Sequence, residues 1–201
     1  MRSFVRCTNA WGWVISSLSE RYKLIESDFR RYGQFLGWLD QGFEGKIKIT
    51  VWALRGVNRS FTYSFWLRLA HMDNILGRVA RRIHSKLSRK WAVETPYQCK
   101  IGKGFYIGHC YAIVINDKTI IGDFVNISQF LTIGSNHGTP ATVGSHVYIG
   151  PNVCIVEDVK IGNHVKIGAG TVVVNNIPSF STSVGNPNRV ISRPGVKVIE
   201  E

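Results

Sequence analysis

Cysteine is scarce in this chain and lacks the spacing of metal sites or disulfide frameworks. The four cysteines are Cys7, Cys99, Cys110 and Cys154, and no two of them are separated by two residues. Zinc ribbons and redox motifs need that spacing, and small disulfide scaffolds need a higher cysteine content. The pattern excludes these classes and fits a reducing compartment, so we predict a cytoplasmic protein.

A long apolar run is also missing. The most apolar N-terminal stretch, AWGWVISSL at residues 10–18, contains two serines and is followed by charged residues. A membrane-spanning helix needs about 20 mostly apolar residues, and this stretch carries no signal-peptide cleavage pattern. We therefore expect no transmembrane anchor.

Acidic residues are few, with 13 Asp and Glu against 25 Lys and Arg, and the deficit falls in one half of the chain. Residues 1–100 contain 18 basic and 7 acidic side chains, whereas residues 101–201 contain 7 and 6. This asymmetry predicts an anionic partner for the N-terminal half, such as a membrane surface or an acidic polymer.

What the chain does contain is a six-residue repeat over residues 143–178. Its hexads are VGSHVY, IGPNVC, IVEDVK, IGNHVK, IGAGTV and VVNNIP, and the first position is always Val or Ile. Neither an α-helix nor an alternating strand has a period of six. Such a repeat is typical of a parallel β-helix, in which three hexads form one triangular coil. The predicted fold is an all-β parallel β-helix.

The same spacing begins near Lys100 but is interrupted twice. The earlier anchors fall in two groups, Ile101, Ile107 and Ile113, followed by Ile121, Ile127 and Ile133. Two extra residues separate these groups, and four more precede Val143. Insertions in solenoids form loops that often carry the function. We therefore expect functional loops at residues 116–119 and 135–142, in a domain of four coils.

The segment before the repeat, residues 1–92, is predicted to be a helical cap. A first amphipathic stripe runs from Ile15 to Phe29 with Arg21 and Asp28 on its polar face, and a second begins at Ser60. The second helix ends in the basic stretch RVARRIHSKLSRK. This stretch either binds anionic lipid or polymer, or is only a solvated helix face. No recognition pattern for nucleic acid accompanies it.

Two of the six histidines, His109 and His137, are the candidate catalytic groups. His109 lies in YIGHCYAIVIN and His137 in the second interruption. A histidine suits general-base removal of a hydroxyl proton. A carboxylate usually orients such a base, and Glu94, just before the first coil, is the candidate.

Neither a metal ion nor a nucleophilic cysteine is predicted. The γ-class carbonic anhydrases are trimeric β-helices that bind zinc through three histidines. Two of those histidines are about five residues apart, and this chain has no such pair among its six histidines. His146 and His164 occupy variable, outward positions of regular hexads. Cys110 alternates with His109 and is expected to point into the shaft.

A family resemblance is carried by HCYAIVIN, ISQFLTIG, IGPNVCIVEDVKIGNHVKIGAGTVVVNNIP and GNPNRVI, over about residues 92–192. These motifs resemble the serine acetyltransferase branch of the hexapeptide-repeat acyltransferases. Within it, the HxxAIVIN block and the ESDFRRYG stretch at residues 26–33 are most similar to colanic-acid and capsular-polysaccharide O-acetyltransferases. The resemblance implies a left-handed β-helix at residues 93–192, assembled as a homotrimer that could pair into a dimer of trimers.

The resemblance also implies acetyl-CoA as co-substrate, bound in a groove between neighbouring subunits along the later coils. His109 corresponds to the catalytic base of the family and Glu94 to the acidic residue that supports it, while His137 is a positional candidate for a second histidine. The positions that match the CoA contacts of the family are Gly150, Pro151, Ala169, Gly170, Asn175 and Arg189.

Two departures from serine acetyltransferases guide the choice of acceptor. Gly108 stands where those enzymes have Asp, and the loop NHGTPAT lacks their Arg-His-Pro. Without that clamp for an amino-acid carboxylate, the favoured acceptor is a carbohydrate hydroxyl of a capsule, exopolysaccharide or O-antigen. Serine is the alternative acceptor, and a non-catalytic β-helix scaffold is a third hypothesis. The expected location is the cytoplasm, at the inner membrane face if the basic cap binds lipid.

Overall fold

The computed structural model describes residues 18–33 and 36–192. Helices precede a β-helix in this part of the chain. The helices are α1 Leu18–Arg30, α2 Gly42–Leu54, α3 Arg59–Ala70 and α4 Ile75–Trp91, with a short 3₁₀ turn at Leu36–Trp38. None of them is long and apolar enough to cross a membrane. The predicted first turn around Ile15, Cys7 and the tail after Ser192 lie outside the described residues.

Short strands follow the helices and form three sheets, as the faces of a prism. They are β1 Val93–Glu94, β2 Lys100–Ile101, β3 Tyr106–Ile107, β4 Ile113–Ile115, β5 Ile120–Ile121, β6 Asn126–Ile127, β7 Thr132–Ile133, β8 Thr142–Val143, β9 Tyr148–Ile149, β10 Cys154–Ile155, β11 Lys160–Ile161, β12 Lys166–Ile167, β13 Val172–Val173, β14 Ser181–Val184 and β15 Arg189–Ser192. The first sheet is β1-β4-β7-β10-β13, the second β2-β5-β8-β11, and the third β3-β6-β9-β12-β14-β15. Strands three apart in sequence are paired in parallel, which confirms the predicted parallel β-helix with a helical N-terminal region.

The aliphatic anchors fill the shaft of the β-helix. In most strands the residue before the anchor points outward and the anchor itself is buried, as for Lys160 and Ile161. Each buried Ile or Val contributes about 1.5–3 kcal/mol relative to exposure. The array does not end at Pro178 as predicted, because β14 continues the third sheet in parallel with β12 before β15 turns back antiparallel.

Strand register moves the first interruption of the repeat. Ile115, not Ile113, pairs with the anchor of β7, and both of these isoleucines are buried. The two extra residues therefore lie in the turn at residues 108–112, which contains His109. The prediction of a functional loop at residues 116–119 is therefore wrong. The longer loop predicted at residues 135–142 is present between β7 and β8.

The second amphipathic stripe forms two helices rather than one. Asn74 interrupts it and caps α4, since its Oδ1 accepts a hydrogen bond from the Gly77 N–H at 3.0 Å. The helix expected to begin at Ser60 starts one residue earlier, because Asn58 caps it by accepting from the Phe61 N–H at 3.0 Å. An asparagine at the N-cap typically contributes about 1 kcal/mol.

Asp28 and Arg21 are buried rather than on a solvated face of α1 as predicted. Asp28 Oδ2 accepts from Ser64 Oγ at 2.6 Å and from Arg68 Nε at 2.8 Å. Its Oδ1 accepts from Arg68 Nη2 at 2.9 Å and from the Phe105 N–H at 2.8 Å. The carboxylate therefore binds two helices of the cap to the first coil.

Cap side chains also satisfy backbone groups along the lower edge of the first coil. These contacts are Arg68 to Ile101 O (2.7 Å) and Gly102 O (2.5 Å), Arg31 to Gly104 O (3.4 Å), His71 Nε2 near Cys99 O (3.4 Å), Tyr63 Oη to Val93 O (3.3 Å), and the Ile107 N–H to Tyr32 Oη (3.5 Å). Unpaired backbone groups in a buried edge are costly. The helices thus cover the base of the solenoid. The division into domains at residue 92 stays a prediction.

Two histidines of the cap make the fold sensitive to acid. His84 is buried, and the centroid of its ring lies 4.7 Å from the centroid of the Tyr63 ring. His71 is partly buried. Burial lowers the pKa of each from 6.5 to about 4. Because folding favours the neutral rings, their stabilising effect is complete above pH 6.5 and is lost as the pH falls toward 4.

We expect the free energy of unfolding, measured in urea, to fall by about 2–4 kcal/mol from pH 7 to pH 5. The variant His84→Phe should reduce this fall by roughly half, because it removes one of the two titrating groups. If the variant keeps the full pH dependence, buried histidine protonation is not its cause.

Candidate functional site

The turns from the third sheet to the first sheet form one continuous ridge. This His109 ridge consists of residues 108–112, 128–130, 150–152 and 168–170. Backbone hydrogen bonds join its turns: the Phe130 N–H to Tyr111 O (3.3 Å), the Asn152 N–H to Gln129 O (3.1 Å) and the Gly170 N–H to Pro151 O (2.9 Å). Successive coils are about 4.8 Å apart, so the ridge is an extended edge along the β-helix.

His109 lies at the lower end of this ridge, in the turn that the two-residue insertion lengthens. Its side chain is exposed, and its carbonyl accepts from the Tyr111 N–H at 2.9 Å. Cys110 is fully buried, as predicted, and burial raises the pKa of its thiol to about 12. A thiol in that state is a poor nucleophile, which leaves His109 as the candidate reactive group of the turn.

Glu94 is in β1, which packs along the first coil as the sequence suggested. It is paired in register with Val114 and is exposed on the outer face of the first sheet. Within residues 18–33 and 36–192, no hydrogen bond or ion pair joins it to His109. The orienting role of Glu94 therefore stays a prediction.

Four predicted cofactor positions lie on the His109 ridge above the histidine. Pro151, Ala169 and Gly170 are partly or fully exposed, and Gly150 is buried. A Cβ at Gly150 would lie 2.9 Å from Ala169 N, so coil stacking alone explains that glycine. Gly170 has φ +68° and open space beside it. Of the two glycines, Gly170 is the one whose surroundings suit a ligand.

The last two predicted cofactor positions differ in their placement. Arg189 lies on β15 and is exposed. Its Nε is near Gly185. Gly185 follows β14 in the third sheet and therefore continues the line of turns that forms the His109 ridge. Asn175 follows β13 on the opposite edge of the first sheet, and its N–H donates to Asn188 Oδ1 at 3.2 Å. Arg189 is therefore in line with His109, whereas Asn175 is not.

The loop between β7 and β8 is organised by Glu157, which the sequence reading missed. One carboxylate oxygen accepts from the backbone N–H groups of Asn136 (2.8 Å), His137 (2.9 Å) and Gly138 (2.9 Å), and from Ser135 Oγ (3.0 Å). The N–H of Gly138 and its neighbours lower the pKa of Glu157 to about 2. The sequence does contain a signal for this role: Glu157 lies in the hexad IVEDVK, which lacks the glycine found at the second position of most hexads.

His137 is exposed, and its Nε2 lies 2.9 Å from Asn136 Nδ2. Its loop and the His109 ridge are on opposite edges of the first sheet, so a single chain does not bring His109 and His137 together. The sheet between them has a largely uncharged outer face above Glu94, with Val114, Thr132, Cys154 and Val172 in register. This face separates the two candidate groups.

His146 and His164 pack against other rings on the third edge of the prism. Phe124, His146, His164 and Phe180 form a column with successive centroid distances of 5.0, 4.7 and 4.9 Å. The two histidines thus have a packing role. In the described part of the chain, no group of three His, Cys, Asp or Glu side chains is arranged to hold a metal ion.

Comparison with known proteins identifies the repeat. Residues 140–175 match the family described as bacterial transferase hexapeptide (six repeats). The match covers the regular hexads of the later coils.

Proteins similar in sequence to this chain include serine acetyltransferases. That of Synechococcus elongatus is 37% identical over 125 residues, covering 60% of this chain and 51% of the relative. The chloroplastic serine acetyltransferase 1 of Arabidopsis thaliana is 38% identical over 117 residues, covering 56% and 37%. The chain thus spans about half or less of the length of these relatives.

A solved structure agrees with the sequence relatives. The soybean serine acetyltransferase apoenzyme is 26% identical with a TM-score of 0.65, covering 86% of this chain and 71% of that chain. These findings support the hexapeptide-repeat acyltransferase resemblance and its serine acetyltransferase branch. They contradict the prediction of a polysaccharide O-acetyltransferase, which is therefore wrong; the missing Arg-His-Pro did not indicate a carbohydrate acceptor.

Proposed function

We propose that this protein is an acetyl-CoA-dependent serine O-acetyltransferase. The observation that carries the proposal is the similarity of 56–60% of this chain to serine acetyltransferases at 37–38% identity. The exposed His109, at one of the two insertions in the solenoid, supplies the chemistry such a reaction needs.

His109 acts as general base. It removes the proton of the serine hydroxyl as the oxygen attacks the thioester carbonyl of acetyl-CoA, and the tetrahedral intermediate then collapses to O-acetylserine. The imidazolium returns that proton to the departing CoA thiolate, so no net proton is left on the enzyme. A positioned general base of this kind contributes about 10²–10⁴ in rate.

Acetyl-CoA lies along the His109 ridge, with its thioester at the histidine and its phosphates toward Arg189. Pro151, Ala169 and Gly170 are small or rigid residues along that path, and they let an extended chain approach the backbone. A guanidinium is well suited to phosphate groups. The ridge forms this chain's side of a groove between neighbouring subunits, and no metal is required in the scheme.

The active site forms between copies of the chain, in a homotrimer. The uncharged outer face of the first sheet is flanked by the His109 ridge on one edge and by the His137 loop on the other. Packing these faces around a threefold axis places His109 of one copy beside the loop of the next. His137 then faces the acceptor across the interface. A monomeric mass in light scattering would contradict this arrangement.

The function is tested by measuring thiol release from acetyl-CoA with L-serine as acceptor. L-Alanine is the matched control, because it keeps the amino and carboxylate groups and lacks the hydroxyl. We expect release with L-serine well above the L-alanine background, together with O-acetylserine as product. Equal rates with the two amino acids would overturn the proposal.

A further inference from the structure

Helix α2 is apolar on both of its sides. Its inner side, with Ile49, Trp52 and Ala53, packs in the core of the cap. Its outer side carries a second stripe that is exposed to solvent, formed by Phe43 (77% exposed), Ile47 (48%), Val51 (39%) and Leu54 (57%). A contiguous apolar stripe that is exposed on a surface helix marks a contact with another molecule or with a membrane.

Apolar grooves run along both flanks of this outer stripe. One groove separates α2 from α1 and is lined by Leu18, Tyr22, Phe43, Ile47 and Val51, among others. The other is bounded by Trp38 and Val57. Leu18 and Val57 are also exposed. The stripe therefore lies at the centre of a continuous apolar surface, which is larger than the isolated apolar residues that are common on protein surfaces.

Basic side chains border this surface. Lys46 and Lys48 are on α2, and Arg55 follows its last turn. Lys46 and Lys48 each line one of the two grooves, and Arg55 lines the second. The only acidic residue of α2 is Glu44. An apolar helix face bordered by lysine and arginine is the composition of helices that lie in a membrane interface.

We propose that α2 binds the surface of an anionic phospholipid bilayer, with its outer stripe at the boundary of headgroups and acyl chains. Lys46, Lys48 and Arg55 then meet the lipid phosphates, where each basic residue adds to attraction by a negative surface. The strongly basic N-terminal half of the chain favours an anionic lipid over a neutral one. The proposal is independent of the acceptor that the β-helix uses.

Helix α4 provides a contrasting surface in the same cap. Its exposed cations are Arg78, Arg82, Lys86, Arg89 and Lys90. Its large exposed apolar residues, Ile75 and Val79, are confined to its first turns. A contact through α4 would therefore depend on charge alone, whereas α2 offers both charge and insertable side chains. The two surfaces can be separated by mutation.

The test is sedimentation of the full chain with vesicles of phosphatidylcholine alone or mixed with phosphatidylglycerol. We expect binding to the anionic vesicles, and a double variant Phe43→Ser/Ile47→Ser should lower the partition coefficient at least about tenfold. Ile191→Ser is the matched control, because Ile191 on β15 is 49% exposed against 48% for Ile47. It should bind like the unaltered chain.

Three results would overturn the proposal. The first is equal binding of the unaltered chain to neutral and anionic vesicles, or no binding to either. The second is retention of binding by the double variant, which would assign the contact to another surface such as α4. The third is a lower mass of the double variant in light scattering, which would show that a second copy covers α2. Circular dichroism checks that the variants are folded.

Discussion

Replacing His109 with alanine should lower turnover with L-serine by about 10³-fold. In the proposed mechanism the imidazole takes the hydroxyl proton, and His109 is the only exposed histidine in the described turn at residues 108–112. The KM for acetyl-CoA should stay nearly constant, because the proposed cofactor contacts lie on higher coils of the ridge. Initial rates of thiol release at saturating acetyl-CoA measure both quantities.

The matched control for this variant is His146→Ala. His146 is also an exposed histidine of the β-helix, but it lies in the ring column on another edge. Its loss should change turnover by less than about twofold, since it touches no reacting group. Turnover of His109→Ala equal to that of the unaltered chain would remove the histidine from the mechanism. A fall in both variants alike would indicate a structural effect.

Replacing Asp28 with alanine should lower the free energy of unfolding by about 3–5 kcal/mol. Asp28 is fully buried and makes an ion pair at 2.8 Å with Arg68, which is 2% exposed. Removing the carboxylate leaves a buried guanidinium without its counter-ion and also removes the acceptor of the Phe105 N–H. Urea denaturation followed by circular dichroism measures the loss.

Asp73→Ala is the control for the ion pair itself. Asp73 is bonded to Arg81 at 3.2 Å, but its side chain is 97% exposed. Exposed pairs contribute about 0–1 kcal/mol, so this variant should be nearly neutral. A further variant, Asp28→Leu/Arg68→Met, should recover part of the lost stability, because it removes the buried guanidinium together with its counter-ion. A loss below about 1 kcal/mol for Asp28→Ala would contradict the structural role.

The sequence was sufficient for the β-helix, because its signal is local and repeats. An aliphatic residue at every sixth position is what a narrow shaft requires, and each repeat reports the same geometry. The first interruption of the repeat was placed after Ile113 instead of before Ile115, because both isoleucines are buried. The spacing of six from Ile115 to Ile121 was present in the sequence and identifies the correct anchor.

The cap was harder to predict, because its determinants are not periodic. Helix α2 has apolar residues on both sides, so it lacks the contrast by which an amphipathic helix is detected. Asp28 and Arg68 are 40 residues apart and look like surface charges until their partners are known. Glu157 also acts on a loop about 20 residues away in sequence.

The absence of a motif led to the wrong prediction of a carbohydrate acceptor. The lack of Arg-His-Pro in the loop was interpreted as the loss of a carboxylate-binding group, yet the similar proteins are serine acetyltransferases. In this chain the loop is organised by Glu157, and His137 in it is exposed. A short loop can change sequence while the solenoid that carries it keeps its register.

The contacts between the helices and the first coil have a consequence for assembly. A parallel solenoid ends in strands whose backbone groups can pair with another solenoid, so an uncovered end is a template for filament growth. Asp28 and Arg68 occupy these groups at the base, and the antiparallel turn-back of β15 changes the direction of the chain at the other end. The same residues that hold the cap in place therefore also occupy backbone groups to which a second solenoid would otherwise pair.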